Sequence, residues 1–154
     1  MELSGSHILN TTPDRVWAML MDTDILARIV PGVTTLEKIG DNEYKAIAQV
    51  KMGPVNGSFS GGLTMQDIRE GEGYTLNVKQ SSKIGNADAT VKIDLKPVDN
   101  DKTELVFEGG AKLSGLLART GNRVMSGVAN SLTKQFFENF EEEISDNGKL
   151  KMES

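Results

Sequence analysis

LSGLLARTGNRVMSGVANSLTKQFFENFEEEI, residues 113–144, is the stretch that decides the fold predicted for this chain of 154 residues. Its apolar residues recur at the spacing of one helical face: Leu117, Val124, Val128, Leu132, Phe136, Phe140 and Ile144. The pattern predicts one continuous helix, about 45 Å long at about 1.5 Å per residue. A helix of that length needs a broad apolar surface to pack on.

The charges of this helix do not stabilise it. Arg119 and Arg123 lie near its start and the acidic residues Glu138 and Glu141–Glu143 near its end, the reverse of what the helix dipole favours. The two arginines are four residues apart, so on one helix they face the same way and repel. Either they lie on a solvated face, or they meet an anionic or carbonyl-bearing group, or an acidic partner. The acidic end is likewise either a soluble surface or a docking face for a basic partner.

The surface that the helix needs is predicted between residues 33 and 113, where the apolar period changes from 3.6 to two. Turn signals such as Gly53-Pro54 and Gly85-Asn86 separate the segments, and each segment has one apolar and one polar face. This pattern is typical of an antiparallel sheet covered on one side. Ahead of it, residues 1–9 predict a short strand. Two short helices follow, the first beginning near Thr11-Thr12-Pro13-Asp14 and the second near Asp22-Thr23-Asp24.

These elements predict an α+β fold of the helix-grip type. A curved antiparallel sheet of six to seven strands wraps around the one long C-terminal helix, and the two short helices after the first strand close one end. Residues 1–146 are expected to form a single domain, with residues 147–154 a short flexible tail because Gly148 interrupts the helical pattern.

The composition excludes several classes of function. A net charge of −5 with no basic stripe argues against nucleic-acid binding. The chain has no cysteine, which excludes disulfides, thiolate metal sites and cysteine nucleophiles. No apolar run is long enough for a membrane span, and the N-terminus has no signal-peptide pattern. We expect a cytoplasmic protein with at most peripheral contact with the inner face of the membrane.

Four stretches of the chain resemble a known family. Pro13–Leu20 (PDRVWAML), Val30-Pro31-Gly32, Val50–Val55 (VKMGPV) and above all Leu117–Phe140 are similar to the CoxG family, the family of the carbon monoxide dehydrogenase G subunit. That family lies within the START-like (SRPBCC) helix-grip superfamily, and the similarity extends from Met1 to about Glu143.

The resemblance implies a hydrophobic cavity between the sheet and the long helix. Relatives across the superfamily bind lipids, sterols, polyketides or plant hormones. Proteins of the CoxG family are linked to the recruitment of a molybdenum hydroxylase to the membrane, with quinone as a proposed cargo. The partners that the resemblance implies are therefore a hydrophobic small molecule and a molybdenum-containing dehydrogenase.

No set of residues predicts catalysis or a metal site. His7 is the only histidine, and the sequence indicates no carboxylate that would pair with it as a general base. Ser114 and Ser126 lack a histidine partner. The pairs Asp22/Asp24 and Asp99/Asp101 are better explained as a helix start and a hairpin turn than as metal ligands. We therefore expect no catalytic residue, no cofactor and no metal.

The function predicted is the binding of a hydrophobic small molecule, lipid or quinone-like, by an accessory factor. The alternatives are a recruitment or assembly factor that acts through its surface without cargo, and a cyclase or dehydratase enzyme. The residues predicted to line the cavity lie on the expected inner faces: Phe59, Leu63, Val78, Val91, Phe107, Leu117, Val124, Val128 and Leu132. Arg119 and Arg123 are predicted at the cavity mouth or in contact with a partner.

Overall fold

The structure of the protein is a computed structural model that describes residues 1–153, with the side chains of residues 1–146. Seven strands and four helices follow one another in the order β1 (Glu2–Leu9), α1 (Pro13–Leu20), α2 (Thr23–Ile29), β2 (Val33–Gly40), β3 (Glu43–Met52), β4 (Val55–Arg69), β5 (Gly73–Ser82), β6 (Gly85–Asp99), β7 (Lys102–Leu113), α3 (Gly115–Thr120) and α4 (Asn122–Glu153). The α+β helix-grip prediction, with its two short helices after the first strand, is confirmed.

The seven strands form one antiparallel sheet in the order β1-β7-β6-β5-β4-β3-β2. Consecutive strands from β2 to β7 are joined by tight turns, and β1 pairs with β7, so β1 and β2 are the two edges of the sheet. Residues opposite each other share a face, so the register defines rows of side chains across the sheet. One such row runs through Tyr44, Leu63, Val78 and Ala89 and faces the helices.

The two short helices begin at the capping residues that the sequence indicates. The Thr12 side chain accepts a hydrogen bond from the backbone N–H of Arg15 at 3.3 Å, and Pro13 occupies the first turn of α1. The Asp22 carboxylate accepts from the N–H groups of Asp24 and Ile25 at 3.0 and 3.2 Å, which starts α2. Both helices then bury their apolar faces against the sheet, with Val16 and Ile29 fully buried.

The C-terminal helix is interrupted, and the prediction of one continuous helix is wrong. Gly121 has φ +98°, a left-handed conformation that glycine adopts without steric cost, and it separates α3 from α4. The turn between β5 and β6 holds α3 in place, because the Leu117 N–H donates to the carbonyl of Ile84 at 3.1 Å and the Ser114 hydroxyl oxygen accepts from the N–H of Asn86 at 2.9 Å.

At its other end, α4 extends to Glu153 and passes Gly148, where the helix was expected to end. The side chains of residues 147–154 lie outside the described part of the chain. The division into a domain of residues 1–146 and a flexible tail of residues 147–154 therefore stays a prediction. No helix among the described residues is long and apolar enough to cross a membrane.

The buried side chains form two clusters along the inner face of the sheet. The larger cluster lies between α1, α2, the sheet and the second half of α4, with Leu9, Leu20 and Phe140 at its centre. The smaller lies beneath α3 and the start of α4 and contains Val55, Phe59, Leu117, Met125 and Val128.

Candidate ligand cavity

A cavity of about 310 Å³ lies within the larger cluster, between the sheet and α4. The strands supply Leu3, Leu36, Tyr44, Leu63, Met65, Tyr74, Leu76, Val91, Ile93, Leu105 and Phe107. The helices and their ends supply Leu20, Leu26, Val30, Leu132, Thr133, Phe136 and Phe137. No charged side chain is among these residues. The volume is about twice the roughly 150 Å³ of a dry cavity that takes up benzene, and at the low end of the range for ligand sites.

The sequence positions these side chains through two periodicities. On the sheet, Tyr74 and Leu76 of β5 alternate with outward residues and meet Ile93 and Val91 of β6 across the register. On α4, Leu132, Phe136 and Phe137 lie at i, i+4 and i+5 and project from one face of the helix. Gly109 pairs with Val91, and the strands approach too closely there for a side chain, since an added Cβ atom would clash with the Thr90 carbonyl oxygen.

Two tyrosines place hydroxyl groups in this apolar wall. Burial raises the pKa of the Tyr74 hydroxyl above its ordinary value of 10.0, and the neighbouring Tyr44 raises it further. The Tyr74 hydroxyl therefore stays neutral at physiological pH. Trp17 packs edge-on against Tyr74, with ring centroids 5.9 Å apart, and supports this wall from the outside.

The structure brings four of the nine predicted cavity residues to the cavity: Leu63, Val91, Phe107 and Leu132. Phe59, Leu117 and Val128 are buried, but they belong to the smaller cluster beneath α3. Val78 is half-buried on the inner face outside the cavity wall. Val124 is 42% exposed, so its predicted place on the inner face is wrong. That the predicted residues contact a ligand stays a prediction.

Some side chains of α1, α2 and α4 line the cavity although they were not predicted to do so, among them Leu20, Leu26, Phe136 and Phe137. The two short helices were predicted only to close one end of the fold, and Phe136 only to lie on the apolar face of the long helix. The available signal was the pair of adjacent phenylalanines, because only a helix with apolar contacts on two sides can bury both rings.

Arg119 and Arg123 do not form the predicted pair on one helix. Arg119 lies in the last turn of α3 and Arg123 in the first turn of α4, on either side of the break at Gly121. Both are exposed, and neither lines the cavity. Their role at a cavity mouth or with a partner stays a prediction.

The acidic end of α4 is partly engaged within the molecule. The Arg28 side chain of α2 donates to Oε1 of Glu143 from Nε at 3.0 Å and from Nη2 at 2.5 Å. His7 of β1 lies 2.8 Å from Glu141. The structure thus supplies the carboxylate partner for His7 that the sequence did not indicate. The pair lies outside the cavity wall and joins α4 to the edge strand of the sheet.

A polar recess runs between the edge strand β1 and α4, beside the cavity. We call it the β1–α4 groove. Its two sections are lined from the strand by Glu2, Ser4, Ser6 and His7, and from the helix by Asn122, Ser126, Asn130, Thr133, Lys134 and Glu138. Phe107 and Thr133 line both sections and also line the cavity. Leu3 lines the cavity and one section of the groove, and Phe137 lines the cavity and the other section, so the polar groove and the apolar cavity lie side by side.

Metal binding has no support in the described part of the chain. Residues 1–146 contain no cluster of three or more histidine, aspartate or glutamate side chains that could hold an ion.

The family of the carbon monoxide dehydrogenase G subunit (CoxG) matches residues 5–145. The chain belongs to this family. The crystal structure of a conserved protein from Geobacillus kaustophilus is 33% identical to this CoxG protein, with a TM-score of 0.92 over 95% of this chain and 96% of that one.

More distant structures share the fold. A START superfamily protein from Mycobacterium smegmatis matches the CoxG protein with a TM-score of 0.73 at 8% identity, over 94% of this chain and 97% of that one. The Zhui aromatase/cyclase from Streptomyces sp. R1128 matches with a TM-score of 0.68 at 14% identity, over 93% and 92%. No curated protein matches the sequence. The fold of this CoxG protein is START-like.

Proposed function

We propose that this CoxG protein binds a hydrophobic small molecule, lipid or quinone-like, and acts as an accessory factor of a molybdenum-containing dehydrogenase. The observation that carries the first part is the cavity of about 310 Å³ with an uncharged, almost wholly apolar wall. An apolar ligand gains roughly 25 cal/mol for each Å² of apolar surface that it removes from water. The second part rests on membership of the CoxG family.

The same wall argues against the cyclase or dehydratase alternative. General acid–base catalysis needs a titratable group within hydrogen-bond reach of the reacting atoms. The described cavity wall has no carboxylate, imidazole or ammonium group, and the pKa of its Tyr74 hydroxyl is raised away from the physiological range. The His7–Glu141 pair lies outside the wall.

The cargo is tested by native mass spectrometry of the freshly purified protein, followed by organic extraction and identification of anything released. A stoichiometric apolar adduct is the expected result. A titration with the uncharged fluorophore N-phenyl-1-naphthylamine measures the cavity independently of any co-purified molecule. A bare mass together with no fluorophore binding would contradict the carrier function and favour a recruitment factor that acts through its surface.

Two valines of the same strand provide a matched test of where the ligand lies. Val91 lines the cavity, whereas Val98 is 51% exposed on the same strand β6. The Val91→Phe variant places a larger ring in the cavity and should weaken fluorophore binding by about ten-fold, equivalent to about 1.4 kcal/mol. The Val98→Phe variant should bind like the wild type. Equal affinities of the two variants would place the ligand elsewhere.

The accessory role is tested by affinity purification of the tagged protein from its own cells. Co-purification of a molybdenum-containing dehydrogenase, identified by mass spectrometry and by its metal content, is the expected result. The Val91→Phe variant separates the two parts of the proposal, because its outer surface is that of the wild type. If this variant still captures the enzyme, partner contact does not require cargo.

A further inference from the structure

The apolar cavity and the β1–α4 groove share part of their walls. The inference drawn from this rests on the proposed carrier function and extends it. Phe107 and Thr133 line both compartments. The Phe107 ring lies directly against Gly5 of the edge strand, since a Cβ atom added at Gly5 would lie 2.8 Å from Cζ of Phe107. The Phe107 ring is therefore one of the side chains that lie between the cavity and the groove.

The strand side of the groove offers backbone groups that have no hydrogen-bond partner among the described residues. Met1 and Ala111 exchange two backbone hydrogen bonds, of 3.1 and 2.9 Å, and the register continues through Leu3/Gly109 and Gly5/Phe107. Because hydrogen-bonded pairs alternate in an antiparallel ladder, the N–H and C=O groups of Ser4 and Ser6 point away from β7. They lie at the free edge of the sheet, beside the groove.

The helix side adds hydrogen-bonding side chains without a concentration of positive charge. Asn130 and Ser126 of α4 line the groove, and the Thr133 hydroxyl donates to the carbonyl of Ala129, which leaves its oxygen as an acceptor. The charged groups that line it have both signs: Glu2 and Glu138 against Lys134 and the Met1 amino group. An anionic head group would need a basic cluster, whereas an uncharged one needs only donors and acceptors.

We propose that the β1–α4 groove is a lateral portal of the cavity and the subsite for the uncharged, hydrogen-bonding end of the ligand, with Phe107 between the two compartments. The cargo is then an amphiphile: an apolar body in the cavity and a hydroxyl or carbonyl group in the groove. The backbone groups of Ser4 and Ser6 and the Asn130 side chain bind that group. The ligand passes between β1 and α4 when it enters or leaves.

The chain has no cysteine, so single cysteines report on the portal without interference. Asn130→Cys places a thiol in the groove, and Ser131→Cys places one at the next position of α4, which is exposed outside the groove. Each variant is labelled with N-cyclohexylmaleimide, and stopped-flow fluorescence follows the loading of N-phenyl-1-naphthylamine. The labelled Asn130→Cys variant should load about ten-fold more slowly, as expected for an obstructed access route, and the labelled Ser131→Cys variant at the wild-type rate. Thermal melts confirm that both are folded.

The head-group subsite is tested by displacement of the same fluorophore with decane, 1-decanol and decanoate. The wild type should prefer 1-decanol to decanoate. The Asn130→Leu variant should lose about three- to ten-fold in affinity for 1-decanol, the range for one hydrogen bond, and should bind decane as the wild type does. Equal loading rates of the two labelled variants, or equal losses for decane and 1-decanol, would overturn the portal. If the wild type binds neither the fluorophore nor decane, the carrier function itself fails and the portal fails with it.

Discussion

The Nε2 atom of His7 lies 2.8 Å from Oε1 of Glu141, which follows it by 134 residues in the chain. The His7 ring also stacks on Phe137, with ring centroids 4.5 Å apart and planes 12° from parallel. Together these contacts connect the edge strand β1 with the helix that covers the cavity.

The two components of this connection should differ in strength. The side chains of His7 and Glu141 are 35% and 43% exposed, so the polar contact is screened by solvent and contributes below about 1 kcal/mol. The ring stack adds about 0.5–1.5 kcal/mol. Urea denaturation should therefore show a loss of about 1–2 kcal/mol for His7→Ala, and less than about 1 kcal/mol for Glu141→Gln. Equal losses would mean that the ring stack contributes nothing.

A side chain at Gly5 should disturb Phe107. The added Cβ would lie 2.8 Å from Cζ of the ring, closer than van der Waals contact allows. Gly5→Ala should therefore lower the free energy of unfolding by about 1–3 kcal/mol, the usual cost of overpacking. Phe107→Leu removes the clashing atom, so the double variant should be more stable than the sum of the single changes predicts. Strict additivity in a urea-denaturation cycle would contradict the contact.

Two glycines of the C-terminal region should respond to alanine in opposite directions. Gly121 has φ +98° between α3 and α4, whereas Gly127 lies inside α4 with no neighbouring atom within 4 Å of an added Cβ. Gly127→Ala should stabilise the protein by about 0.5–1 kcal/mol through helix propensity. Gly121→Ala should destabilise it by about 1 kcal/mol or more, because alanine rarely adopts that conformation. Stabilisation by both would indicate one continuous helix.

Gln80 is expected to be a source of instability. Both amide atoms of its side chain are buried and have no hydrogen-bond partner among the described residues. Its neighbours across the sheet, Gly61 and Ala87, offer no polar side chain. Gln80→Met removes a desolvation cost of about 1–3 kcal/mol and should raise the melting temperature. Gln49→Met, at an exposed position, serves as the control and should change stability by less than about 0.5 kcal/mol.

The buried Tyr74 hydroxyl should make the protein sensitive to alkali. Its pKa is raised in the folded state, chiefly by burial, so the folded protein keeps this proton when the unfolded chain loses it. Stability from this group is therefore fully present below pH 10 and declines as the pH rises through and above the ordinary tyrosine value of 10.0. Urea denaturation at about pH 8 and pH 11 should show a smaller alkaline loss for Tyr74→Phe than for the wild type. An equal loss would assign the alkaline sensitivity to other groups.

Much of the fold was predictable because its signals are local. The alternation within strands and the turn residues between them specify a meander, and the capping residues Thr12 and Asp22 start the two short helices. The break at Gly121 was not predictable from periodicity, because the apolar spacing continues through it. Val124 illustrates the consequence: it follows the break, so its spacing from Leu117 no longer places the two on one face.

The candidate site was less predictable than the fold. Inner-face residues are evident from alternation, but which of them line a cavity depends on how far α4 lies from each part of the sheet. That distance is set by contacts between elements far apart in sequence, such as the Arg28–Glu143 and His7–Glu141 pairs. Four of the predicted residues, Leu63, Val91, Phe107 and Leu132, line the cavity, and their contact with a ligand stays a prediction.

The two hydrophobic clusters separate the space for a ligand from a tightly packed part of the core. The smaller cluster beneath α3 is filled by Phe59, Leu117 and Met125, while the cavity is lined mainly by residues of the larger cluster, and Leu132 both lines the cavity and packs against the smaller cluster. Substitutions at cavity residues of the larger cluster can therefore alter the size and shape of the space without changing the packing that secures α3 and the start of α4. Ligand preference can therefore change by single substitutions in evolution. The smaller cluster keeps the chain folded while this happens.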